Sequence, residues 1–210
     1  VNDVSNEQNL TVNSTGSITI GDIDLSAGPG SGGTFTADID TDNDGIETLT
    51  TGTTTVGGIS VTGGTDNNET FTIGSALTTR NSGANVVFSQ LGTLNIDADI
   101  TSAGGIDINN ITTVDIDTAG ANITLTANDG NIALFDTITN LGTTDGTGRT
   151  VTLDSSPNNG NINLGAFDGD IDTDTNLSNL TLNSGTGGTI AGSGAITNVG
   201  TLDITNSNGA

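Results

Sequence analysis

Leu91-Gly92-Thr93-Leu94-Asn95-Ile96-Asp97 returns twenty residues later as Ile111-Thr112-Thr113-Val114-Asp115-Ile116-Asp117. Leu177-Ser178-Asn179-Leu180-Thr181-Leu182-Asn183 returns in the same way as Val199-Gly200-Thr201-Leu202-Asp203-Ile204-Thr205, offset by 22. In every copy the last two apolar residues are separated by one polar residue. That period of two belongs to a strand with one buried face. Asn stands before several copies, at Asn110, Asn176 and Asn198, and Asn140 precedes a weaker copy, Leu141-Gly142-Thr143.

A second unit sets Gly or Asn before a short alternating strand: Gly105-Ile106-Asp107-Ile108, Asn122-Ile123-Thr124-Leu125, Asn131-Ile132-Ala133-Leu134, Asn161-Ile162-Asn163-Leu164 and Gly58-Ile59-Ser60-Val61. Strands this short are unstable as isolated hairpins and need neighbours. Gly-Gly pairs at 32–33, 57–58, 63–64, 104–105 and 187–188 supply the sharp corners between them. No stretch of about ten residues carries a 3.6-residue apolar stripe, so almost no helix is expected. An antiparallel sandwich and a parallel solenoid both suit many short strands. A repeat near twenty residues selects the solenoid, because each turn lays a strand on its predecessor. The expectation is an all-β parallel β-helix of 20–22 residues per coil and nine or ten coils. Residues 1–210 then form one repetitive segment, with less regular coils over 1–87 and regular coils over 88–210. Its inward positions include Leu94, Ile96, Val114, Ile116, Leu180, Leu182, Leu202 and Ile204.

Composition narrows the function. The chain has 25 acidic residues against two cations, Arg80 and Arg149, for a formal net charge of −23, and it contains no His, Cys, Met, Trp or Tyr. Without His or Cys it has no His base, no Cys nucleophile, no ordinary zinc site and no disulfide framework. Two cations are too few to hold nucleic acid or phosphate, and the net charge repels both. No apolar run reaches the length of a membrane span, and no secretory leader is visible. A strongly acidic chain without disulfides suits a cell exterior where cations screen its charge. The start at Val1 and the stop just after a repeat strand lead us to expect a piece of a longer array or polymer, contacting like chains or adjacent coils through its ends.

The pairing of Asn-Leu/Val-x-x-Leu-x-Ile/Leu with Gly-Asn-Ile-x-Leu resembles the strand repeats of very large bacterial surface proteins, the filamentous-haemagglutinin-like adhesins among them. The resemblance covers residues 88–210 well and 1–87 loosely. It implies a right-handed parallel β-helix, export to the cell surface, and service as a fibre, stalk or matrix element. An adhesin passenger whose loops bind a surface ligand is the alternative. Neither reading is enzymatic. Parallel β-helices also carry polysaccharide-cleaving sites, but this chain lacks the aromatic platforms and cations such a site uses.

One stretch suggests a cation. Asp40-Thr41-Asp42-Asn43-Asp44-Gly45 reproduces the D-x-D-x-D-G opening of a calcium loop, in which alternate oxygens converge on a hard ion. The twelfth position is Thr51, so Glu47 is the residue available to complete a set of Asp40, Asp42, Asp44 and Glu47. A second acidic run, Asp168-Gly169-Asp170-Ile171-Asp172-Thr173-Asp174, is a weaker calcium candidate, because its Asp residues alternate with Ile171 and Thr173 as an ordinary outward strand face does. Thr-x-Thr pairs at 34–36, 48–50, 53–55, 70–72, 124–126 and 137–139 are unevenly spaced in sequence, which argues against a lattice-matched ice surface. No cofactor is required by any of these features.

Overall fold

A computed structural model describes residues 8–26, 32–43, 46–118, 120–135, 138–144, 148–173 and 175–205. The fold is the expected parallel β-solenoid: every strand pairing among these residues is parallel, and the one helical element is the 3₁₀ turn Ser156–Asn158 around Pro157. Eight coils are present among the described residues, each contributing one strand to each of three faces.

The first face stacks Leu10–Asn13, Thr34–Asp38, Gly58–Thr62, the start of Val86–Ile96, the start of Ile106–Asp117, Ile132–Leu134, Ile162–Leu164 and Ile190–Gly192. The second stacks Ile18–Ile20, Thr48–Thr51, Thr70–Ile73, the ends of the two long strands, Asn140–Thr144, Phe167–Asp168 and Ile196–Thr197. The third stacks Ile23–Asp24, Thr54–Val56, Leu77–Thr79, Ile100–Ser102, Ile123–Ala127, Thr150–Asp154, Asn179–Asn183 and Leu202–Thr205. At the usual strand spacing the stack is roughly 34 Å from first coil to last.

The quoted repeats pair as their similarity demands. Leu94 lies on Val114 and Ile96 on Ile116, while Leu180 lies on Leu202 and Leu182 on Ile204. The coil length departs from the expected 20–22 residues. Successive strands of the first face are offset by 25, 24, 27, 20, 26, 30 and 28 residues. Apart from Val86–Ile96 and Ile106–Asp117 the strands are short, and much of the surplus lies in the corners, where residues add no requirement on the core. This is also why the described residues make eight coils where nine or ten were expected from the whole length. The weaker copy is displaced by three: Leu141 pairs with Val114, and Asn140 with Thr113.

The core is a narrow column. Phe35, Phe71, Phe88 and Phe167 are buried, and the rings of Phe71 and Phe88 meet edge to face at 5.2 Å. Around them Ile, Leu and Val stack on their own kind from coil to coil. Each such side chain gains about 1.5–3 kcal/mol by leaving water. Six of the eight inward positions named from sequence are buried. Leu202 and Ile204 keep the inward register but are 44% and 43% exposed, because among the described residues no coil lies above them.

The Asn before the short strands has two uses. Asn131 Oδ1 accepts from the Asn161 amide at 2.8 Å, and Asn161 Oδ1 accepts from the Thr189 amide at 3.0 Å, so the side chain ties each coil to the next where the strand begins. Gln90 and Asn110 instead turn the corner of the two long strands in the left-handed region, at φ of 55° and 51°. Asn tolerates that conformation better than most residues.

Candidate metal centre

Two turns at the corner between the first and second faces meet across a coil boundary. The first follows the strand Thr34–Asp38 and begins at Asp40, whose Oδ1 accepts from the Asn43 amide at 2.8 Å. The second follows Gly58–Thr62 and runs through Asp66 to Glu69. Asn43 joins the turns: its Oδ1 accepts from the Thr65 amide at 2.6 Å and from the Thr65 hydroxyl at 3.0 Å. Carboxylate oxygens of Asp40, Asp66 and Glu69 come within 4.8 Å of one another.

Burial makes this cluster different from a solvated acidic turn. Glu69 is 0% exposed and Asp40 2% exposed. Neither Glu69 oxygen has a hydrogen-bond partner, and neither has Asp40 Oδ2. Asp66 is the exposed member, and its Oδ2 accepts from the Asn68 side chain at 3.0 Å. Burial first, and then Asp66 and Asp40 beside it, push the Glu69 carboxyl up to about 7, although the dipole of its own backbone amide opposes them.

Gly63 and Gly64 make the arrangement sterically possible. A Cβ on Gly64 would lie 2.3 Å from Asp40 Oδ2, and one on Gly63 would lie 2.3 Å from Glu69 Oε2 and 2.3 Å from the Gln90 carbonyl oxygen. The pair recognised in sequence as a turn signal therefore also clears the space that the carboxylates fill.

Of the residues suggested from sequence, Asp40 belongs to this cluster. Asp42 is exposed, and Asp44 lies outside the described residues. Glu47 is buried at the second-face corner, one coil before Glu69, as the pairing of Thr48 with Thr70 shows. Asp66 and Glu69 escaped sequence reasoning because they stand more than twenty residues from Asp40. A run-based motif sees only neighbours along the chain. The signal present was a second acidic turn, Asp66-Asn67-Asn68-Glu69, at the equivalent place in the following coil.

The other acidic run has a structural explanation. Asp168 Oδ1 accepts from the Asp170 amide and from the Asn198 side chain, and Asp170 Oδ2 accepts from the Thr175 amide. These carboxylates brace a turn. The Thr-x-Thr pairs are in part stacked despite their uneven sequence spacing: Thr48 and Thr50 lie on Thr70 and Thr72.

Comparison with known proteins finds no matching family model, no matching curated protein and no matching solved structure. The class defined here is therefore the β-solenoid, a repetitive all-β protein without a described helix long and apolar enough to cross a membrane. The parallel solenoid expected from the repeats is present, and no comparison links the chain to the filamentous-haemagglutinin-like surface proteins or to another family.

Proposed function

We propose that this chain is a non-catalytic structural element of the cell exterior, a length of solenoid serving as fibre, stalk or surface-layer matrix. The observation that carries the reading is the last described coil. Ile196, Leu202 and Ile204 are 36%, 44% and 43% exposed, whereas Phe167, Leu180 and Leu182 directly beneath them are buried. Among the described residues this end of the stack is apolar, and its strands keep the register that another coil, from the same chain or from a like chain, would continue. Repetition of that step makes a fibre. The acidic, cysteine-free composition supports an exterior location. Immunogold labelling of intact source cells with antibody to this chain tests the proposal. Label on filaments projecting from the surface is expected; label confined to the cell interior overturns it.

An adhesin is the second reading, favoured by a groove of about 410 Å³ on the second face, lined by Thr113, Asn140, Phe167, Asp168, Ile171 and Thr197 among others. Beads coated with the chain would then adhere to a target surface, and Ile171→Asp would reduce that adhesion.

A further inference from the structure

We propose that Asp40, Asp66 and Glu69 bind one calcium ion that staples two consecutive coils together. Asp40 comes from one coil and Asp66 and Glu69 from the next, so a shared ion would cross-link the stack at its corner. The ligand chemistry is that of a hard cation, with oxygen donors only. Two oxygens on opposite sides of a calcium ion, each about 2.4 Å away, are about 4.8 Å apart, so the cluster fits inside one coordination shell. Exposed Asp66 leaves a side open to solvent for the waters that complete the shell.

Three oxygens carry the argument beyond a simple count of acids. Both Glu69 oxygens and Asp40 Oδ2 are buried and have no donor, and a carboxylate oxygen of Glu69 lies within 4.8 Å of one from Asp40 and one from Asp66. Burying carboxylates together without compensation is costly, and a divalent ion held between them compensates that cost. The clearance provided by Gly63 and Gly64 keeps the carboxylates from being displaced by side chains. Asn67, between two of the ligands in sequence, adds a further buried oxygen without a partner. The site does not depend on whether the solenoid is a stalk or an adhesin.

The test is calcium titration of the whole chain, followed by calorimetry and by thermal unfolding at constant ionic strength. One calcium per chain is expected, with Tm rising by about 5–10 °C at a hundredfold excess over Kd. Glu69→Gln and Asp66→Asn should each abolish that rise. Asp66 is exposed, so its variant should fold even if the buried substitution does not. Asp97→Asn, on a different acidic strip, should leave the rise intact. The proposal is overturned if calcium gives no rise, if magnesium gives an equal one, or if Asp66→Asn keeps it, since each outcome reduces calcium to general screening of a highly acidic protein.

Discussion

Ile116 sits directly on Ile96 in parallel register, and neither side chain has surface open to water. The contact joins Val86–Ile96 and Ile106–Asp117, the two longest of the described strands. Ile116→Ala should cost about 2–5 kcal/mol, the usual cost of emptying a core site. Ile116→Asp should prevent folding, because a carboxylate there has no partner in a column of hydrocarbon. Urea denaturation followed by circular dichroism measures both; an Asp variant with the wild-type midpoint would contradict the inward assignment.

Thr51 and Thr143 occupy the same kind of inward position, with Ile20 and Ile73 flanking Thr51 and with Ile116 beneath Thr143. Their hydroxyls are buried without hydrogen-bond partners. Thr51→Val should therefore stabilise the fold by about 1 kcal/mol, since it removes a stranded polar atom and nearly preserves shape. The expected readout is a higher urea midpoint with an unchanged slope.

Gly160 lies so close to the coil below that an added Cβ would be 1.8 Å from the Gly130 carbonyl oxygen, whereas a Cβ on Gly16 would meet nothing within 4 Å. Gly160→Ala should force the two coils apart and destabilise by roughly 1–3 kcal/mol or more. Gly16→Ala should be neutral or stabilise by up to about 1 kcal/mol, through the unfolded chain. Thermal melts of the two variants side by side make the comparison.

Asp115 stands outward on the second face between Asn95 and Gly142 of the neighbouring coils. Burial, and to a smaller degree Asp117, Asp97 and Asp172, push its carboxyl up to about 6, although the Thr144 hydroxyl donates to it and pulls the other way. In the unfolded chain an Asp titrates near 3.9. The folded state thus holds this proton more tightly, and the charged form opposes folding. Its penalty is complete above about pH 6 and is relieved as pH falls toward 4. Stability should rise on acidification from pH 7.5 to 5, and Asp115→Asn should flatten the slope. Urea midpoints across that range test the sign; an unchanged slope in the variant would remove Asp115 from the account.

The alternation at Leu94, Ile96, Val114 and Ile116 made strands and an inward face legible, because side chains on a strand alternate whatever surrounds them. Similarity also predicted true partners, since stacked positions share one environment. It did not identify the face. Leu94-Asn95-Ile96 lies on the second face and its look-alike Leu180-Thr181-Leu182 on the third; Asn131-Ile132 lies on the first and Asn122-Ile123 on the third. The faces impose the same apolar demand, so their sequences converge.

The amino-acid sequence by itself determined the local grammar of this protein: short strands, their buried residues, glycine corners, and an acidic surface lacking the usual catalytic side chains. Only the tertiary structure decided how many residues each corner absorbs, and hence that Asp40 faces Asp66 and Glu69. The reason is physical. Strand alternation is written in neighbouring residues, whereas a coil boundary brings together residues more than twenty apart, and their meeting depends on every corner loop between them.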